Sequence, residues 1–222
     1  MSASVTDELA ALAIFTAVEP TQLHDLARRA IAKRLAPGQV LFTEGDPSAH
    51  LVLVRSGRVR VLVSSERGDE LVLTVLGAGD AFGELSVLDG LPRSATAEAL
   101  DAAEVVLLPA DAVRAVLDAH PAALLAVTQQ LAAQVRRITG SAADLVFLDL
   151  PRRLAKLVLA RANGTATAEL GVSQSGLAAQ LGTTRQSVNK ALSGLTTRGW
   201  ISTSGTVVTV LDEAALRRFS AS

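Results

Sequence analysis

The sequence predicts an α+β chain in three parts: an N-terminal β-barrel or jelly roll, a long helix, and a C-terminal winged helix-turn-helix. Three observations predict it. Turn signals recur about every 11 residues in the first half, with short aliphatic runs between them. A stretch from Pro121 to Leu148, with no proline after its first residue, carries a narrow apolar stripe. Residues 173–195 then alternate helix and turn signals, and a β-hairpin pattern follows.

Residues 7–30 read as short helices, with Leu9, Leu12, Ile14 and Phe15, then Leu23, Leu26 and Ala27, on their apolar faces. From Ile31 the period changes. Turns are marked by Pro37-Gly38, Gly45-Asp46, Ser56-Gly57, Gly68-Asp69, Gly79-Asp80 and Asp89-Gly90. Between them lie Val40–Phe42, Leu51–Val54, Val59–Val63 and Leu71–Val75, and beyond them Val105–Leu108. Evenly spaced short strands with Gly/Asp turns are the mark of a barrel or jelly roll. From Pro109 the pattern turns helical, first over Asp111 to Ala119 and then over the long helix. Its small or apolar residues fall at Leu124, Thr128, Leu131, Val135, Ile138, Ala142 and Leu145, in alternating steps of 4 and 3. That is the heptad seam of a two-helix pairing, whereas a helix packed only on its own barrel would show a wider stripe. Asp149 caps the next helix, Pro151 is tolerated in its first turn, and Asn163-Gly164 ends it. The expected divisions are a sensor domain over 1–120, a dimerisation helix and hinge over 121–149, and the helix-turn-helix domain over 150–222.

In the last part Ser173 is the expected N-cap, Gln174 to Leu181 the first helix, and Gly182 the turn. Thr183 or Thr184 caps a second helix that buries Val188, Leu192 and Leu195. Its other face offers Arg185, Gln186, Asn189 and Lys190, the side-chain types that hydrogen-bond base edges. Trp200–Thr203, Ser204-Gly205 and Thr206–Val210 read as the wing. Charge agrees with this division. Residues 1–149 hold 12 Lys/Arg against 19 Asp/Glu, and residues 150–222 hold 9 against 3. A basic segment on an acidic partner points to a polyanion-binding module.

Composition narrows the remaining classes. With 49% hydrophobic and 19% charged residues the chain is expected to pack rather than stay disordered. The first residues lack the basic-then-apolar pattern of a signal peptide, and no stretch reaches the roughly 18 apolar residues of a membrane span. The expected compartment is the cytoplasm, with no membrane partner. Zero Cys excludes disulfides, a thiolate nucleophile and Cys-held iron–sulfur or zinc sites. His24, His50 and His120 form no metal-ligand spacing or nucleophile–base motif, so neither an enzyme nor a haem protein is expected.

One segment remains, Phe82 to Ala97, with Gly83-Glu84-Leu85 and Arg93-Ser94-Ala95 inside it. Arg93 and the amides around Gly83, Ser94 and Ala95 suit a singly charged phosphate, and Glu84 suits a ribose hydroxyl. On residues alone, Glu84 and Arg93 read more readily as an ordinary surface ion pair than as a ligand site. The segment resembles the phosphate-binding cassette of cyclic-nucleotide-binding domains. Together with Arg185–Lys190 and the wing, the whole chain resembles the Crp/Fnr family of bacterial regulators, on the catabolite-activator side. The resemblance implies a homodimer paired through 121–148, with a cyclic nucleotide, cAMP above others, as effector and no metal, haem or iron–sulfur cluster. Double-stranded DNA with a palindromic operator, and RNA polymerase, are the other partners it implies. Gly83, Glu84, Leu85, Arg93, Ser94 and Ala95 would bind phosphate and ribose. Ser173, Gln174, Thr184, Arg185, Gln186, Ser187 and Lys190 would face DNA. Two departures stand out. Gln186 stands where the family often has Glu, and Ile138 stands where a hydroxyl usually meets the purine amine. Thr139 would keep the second polar contact, across the dimer. The alternative is the same DNA-binding regulator acting largely without ligand or with another small effector.

Overall fold

A computed structural model of the chain describes residues 4–47, 49–68, 70–169 and 174–221. Asp69 of the fourth turn signal, and Ser173, the expected cap and DNA contact, lie outside them. The chain divides into two compact units, Met1–Val63 with Leu73–Val135, and Ser64–Val72 with Arg136–Ser222.

The first unit opens with α1 (Val5–Ala11), a short 3₁₀ turn over Ala13–Phe15, and α2 (Pro20–Arg28). Ser4 starts α1 with a reciprocal cap: its hydroxyl accepts from the Asp7 amide, and the Asp7 carboxylate accepts from the Ser4 amide. The strands are β1 (Ile31–Leu35), β2 (Val40–Phe42), β3 (His50–Ser56), β4 (Val59–Ser64), β5 (Glu70–Leu76), β6 (Ala81–Phe82), β7 (Thr96–Ala99) and β8 (Ala103–Pro109). They form two four-stranded sheets, ordered β1-β8-β3-β6 and β2-β7-β4-β5. The helix α3 (Glu84–Asp89) interrupts the strands after β6, and α4 (Ala110–Ala119) follows β8.

Strand β3 shows why the aliphatic runs lack alternation. Leu51 and Leu53 pack outward against α1, α2 and α4 in one core, while Val52 and Val54 point into the barrel with Val59, Phe82, Ala97 and Val105. Both faces are buried, so both must be apolar. Each such side chain contributes about 1.5–3 kcal/mol on burial. Gly57, at the β3–β4 turn, has φ 74, and a Cβ there would lie 2.3 Å from the Ala102 carbonyl oxygen. No side chain fits there.

The long helix α5 (Pro121–Phe147) buries Ala123 and Val127 against the helical core, with Leu131 packed beside them. Its heptad stripe is otherwise open: Leu124, Val135, Ile138 and Leu145 are 44%, 62%, 58% and 57% exposed. Among the described residues no helix is long and apolar enough to cross a membrane.

In the second unit Asp149 caps α6 (Leu150–Ala162) by accepting from the Arg152 amide, and Asn163 ends it in the left-handed conformation. Lys156 on α6 reaches back to Asp144 on α5 at 2.6 Å. Then come β9 (Thr167–Glu169), α7 (Gln174–Gln180), α8 (Arg185–Thr197), β10 (Ile201–Ser204), β11 (Val207–Val210) and α9 (Glu213–Ala221). Leu154, Val158, Leu177, Val188, Leu195, Ile201 and Leu216 meet in one core. The wing is a three-stranded antiparallel sheet, β10-β11-β9. Phe219 of α9 lies between two guanidinium groups, Arg198 at 4.9 Å and Arg152 at 5.5 Å, and 5.2 Å from Trp200. This aromatic and cationic stack ties the C-terminal helix to α6 and to the start of the wing.

Candidate functional site

The segment from Gly83 to Ala97 leaves the barrel after β6, turns through α3 and returns as β7. Gly83 adopts φ 84, which glycine tolerates and a side chain does not. A Cβ at Gly83 would lie 2.5 Å from the Arg93 Nη1. Glycine is thus required twice, by its own backbone and by the arginine folded over it. Gly83→Ala is expected to destabilise the protein by roughly 1–3 kcal/mol, through backbone strain and the displaced guanidinium. A lower urea midpoint at unchanged slope would show it.

Arg93 is 6% exposed. It is not half of a surface ion pair with Glu84. Its Nη2 donates to the His50 carbonyl at 2.6 Å and its Nη1 to the Gly83 carbonyl at 3.2 Å. Burial pushes its pKa down, and the nearby negative charges of Glu84 and Asp46 oppose that only in part. No ion pair joins Arg93 to a carboxylate among the described residues. Two of the five guanidinium N–H donors are satisfied by carbonyls, which leaves others for an anion. Desolvation of a cation that makes no ion-pair contact is costly, and an anion delivered to it would be held strongly.

Around Arg93 the frame is hydrogen-bonded. The Arg93 amide donates to the Asp46 carbonyl at 2.9 Å, and the Gly45 amide to the Arg93 carbonyl at 2.8 Å. Asp46 in turn accepts from the Thr43 amide at 2.8 Å. Phe42 lies against the guanidinium. A cavity of about 250 Å³ adjoins it, lined by Lys33, Phe42, Asp46, His50, Val52 and Leu107 among others. Burial, then the charge of Arg93, lowers the His50 pKa, so its imidazole is neutral at pH 7. Glu84 is half-buried, Leu85 and Ser94 are exposed, and Ala95 is buried. Sequence reasoning singled out neither Phe42 nor the His50 carbonyl. Ile138 and Thr139 sit on the exposed stretch of α5.

In the second unit, Thr184 caps α8 by accepting from the Ser187 amide at 3.2 Å. Gly182 makes the turn with φ 60, and the Thr183 amide donates to the Ala178 carbonyl. With Val188, Ala191, Leu192 and Leu195 buried, Arg185, Gln186 and Lys190 face solvent. Asn189 and Ser187 are half-buried at the edge of this face, and Gln174 of α7 is exposed. The Arg185 Nε donates to the Gln174 Oε1 at 3.4 Å, a weak contact that brings the two helices' polar residues together.

Comparison with known proteins agrees with both halves. Residues 32–120 match the cyclic nucleotide-binding domain and residues 152–219 the Crp-like helix-turn-helix domain. A CRP-like cAMP-activated global transcriptional regulator of Mycobacterium tuberculosis is 34% identical over 96% of this chain and 98% of its own. The chain belongs to the Crp/Fnr family. A cyclic AMP receptor protein of Thermus thermophilus is 30% identical over 93% of the chain and 96% of its own. The structure of CooA from Carboxydothermus hydrogenoformans, in variant form, superposes with TM-score 0.76 at 25% identity, over 87% of this chain and 88% of that one. A Crp/Fnr protein of this composition is a DNA-binding transcription regulator with a cyclic-nucleotide-binding domain, not an enzyme.

Proposed function

We propose that this Crp/Fnr protein is a homodimer whose barrel binds a cyclic mononucleotide, cAMP, and couples that binding to recognition of a palindromic operator. The observation that carries the reading is Arg93, buried beside Gly83 and Glu84 with carbonyl partners and no carboxylate. The relatives in Mycobacterium tuberculosis and Thermus thermophilus that carry cAMP in their names support the choice of nucleotide. Arg93 takes the cyclic phosphate with the amides near Gly83, Leu85, Ser94 and Ala95, and Glu84 takes the ribose hydroxyl. Ile138 and Thr139 meet the purine. The three divisions 1–120, 121–149 and 150–222 act as sensor, pairing helix with hinge, and DNA reader. The effector works without metal, haem or iron–sulfur cluster, in the cytoplasm, and RNA polymerase is the further partner.

The open heptad stripe on α5 supports pairing through 121–148, because exposed apolar residues in a/d register are stabilised by a second copy. Arg185, Gln186, Asn189 and Lys190 read bases, and Ser173, Gln174, Thr184 and Ser187 contact the backbone around them. Two such helices on a two-fold axis read half-sites about one helical turn apart. Calorimetric titration with cAMP and with cGMP tests the effector, and selection from a random operator library tests the DNA. No heat with either nucleotide, or a consensus without two-fold symmetry, contradicts the corresponding half of the proposal.

Ile138 favours a second form of the reading, with weak ligand dependence. It cannot accept a hydrogen bond from the purine amine, and its methyl and methylene groups favour burial in the seam at about 0.8 kcal/mol per CH₂. A ligand shifts an equilibrium only by its differential affinity for the two states. The ligand-free protein is therefore expected to bind operator measurably, with cAMP improving it less than about tenfold. Ile138→Thr is expected to lower ligand-free binding and raise the cAMP response, by operator titration with and without saturating cAMP.

A further inference from the structure

We infer that Phe42 is a positioning residue of the ligand site: its ring is the shelf that holds the Arg93 guanidinium where a cyclic phosphate meets it. The inference deepens the proposal that Arg93 binds the phosphate, and rests on it. The Arg93 Cζ lies 4.1 Å from the centroid of the Phe42 ring. That is well inside the distance, about 6 Å, at which a ring face attracts a cation. The two carbonyls of His50 and Gly83 hold the guanidinium through its N–H groups, whereas the ring presents its own face to the cation. Together they fix both its position and its tilt, and a phosphate needs both for paired N–H···O bonds.

Four further features separate this role from ordinary packing. Phe42 is only half-buried, and an aliphatic side chain would cover the neighbouring barrel residues without offering a π-face to the cation. The ring is braced by Phe82, whose centroid is 6.0 Å away at 40°. The register of β2 against β7 shifts between Val40 and Phe42, with Val40 opposite Glu98 and Phe42 opposite Ala97. Such an irregularity re-aims a side chain, and here the re-aimed residue is the shelf. The turn after Phe42 is also hydrogen-bonded in both directions to the Arg93 backbone, through Gly45 and Asp46. Ring and arginine therefore belong to one frame.

The test uses the full-length natural protein, Phe42→Leu and Phe42→Trp. Calorimetry reads cAMP affinity, and nitrogen-15 NMR reads the Arg93 Nε–H, which is expected upfield in the natural protein because of the Phe42 ring current. Phe42→Leu is expected to weaken cAMP binding about five- to twentyfold and to move the Arg93 Nε–H downfield. Phe42→Trp restores the face and is expected to keep affinity within about threefold, with the upfield shift retained. Undiminished affinity in Phe42→Leu overturns the inference. So does a loss of affinity with the Nε–H unmoved, because packing alone would then account for it. If the natural protein binds no cyclic nucleotide, the parent proposal fails, and the role of the ring toward phosphate fails with it. That outcome is distinct from a binding protein indifferent to residue 42.

Discussion

Arg93→Ala is expected to weaken cAMP binding by at least tenfold, and by more than a hundredfold if both phosphate contacts depend on it. The magnitude follows from a charge-assisted, partly desolvated contact, worth about 1.5–3 kcal/mol or more. The same substitution frees the Gly83 and His50 carbonyls and leaves Phe42 without its cation. In the free protein those losses are partly offset, since a buried unpaired charge is also removed. Ligand-free stability is therefore expected to change far less than affinity. Calorimetry with cAMP, beside a urea titration of the ligand-free variant, separates the two. Unchanged affinity in a folded variant would remove Arg93 from the site.

The second large effect is expected at the dimer seam. Val135 is 62% exposed on α5, between Leu131 and Ile138 of the heptad stripe. Val135→Glu would place two carboxylates face to face in a paired seam while leaving the fold of one chain undisturbed. The variant is expected to sediment as a monomer at micromolar concentration, with its unfolding transition retained. Affinity for a two-half-site operator should then drop by about 10²–10⁴, because the second half-site is no longer reached at high effective concentration. Affinity for a single half-site should barely change. A variant that remains dimeric would show that the stripe is not the pairing surface.

Much of this architecture is legible in the sequence, for physical reasons. Gly and Asp at the turns of the barrel, and apolar runs buried on both faces in β3 and β8, leave a pattern that local reading detects. The steps of 4 and 3 between Leu124 and Leu145 likewise mark α5, Pro121–Phe147, as one long helix. Several elements escape, among them β1, β6, α3 and β7 in the first unit and two in the second. Strand β9 is only Thr167-Ala168-Glu169, too short to alternate, and exists because its backbone pairs with β11. Helix α9 is a short amphipathic turn pair whose anchor, Phe219, is fixed by Arg152, Arg198 and Trp200 from elsewhere in the unit. Charge and motif likewise mark Gly83, Glu84 and Arg93, yet not whether Arg93 lies on the surface or inside. That is decided by the His50 carbonyl and the Phe42 ring, 43 and 51 positions away in sequence. Such long-range partners leave no local signal.

Coupling between barrel and helix-turn-helix is the central claim, and it is reciprocal: whatever factor cAMP adds to operator affinity, operator must add to cAMP affinity. The direct measurement is calorimetric titration of cAMP into the free dimer and into the dimer saturated with its selected operator. The expected result is one cAMP per chain in both cases, two per dimer, with tighter binding on the operator such that the product of the two affinity gains equals the gain seen in operator titrations, below about ten. Equal cAMP affinity with and without operator would contradict the account.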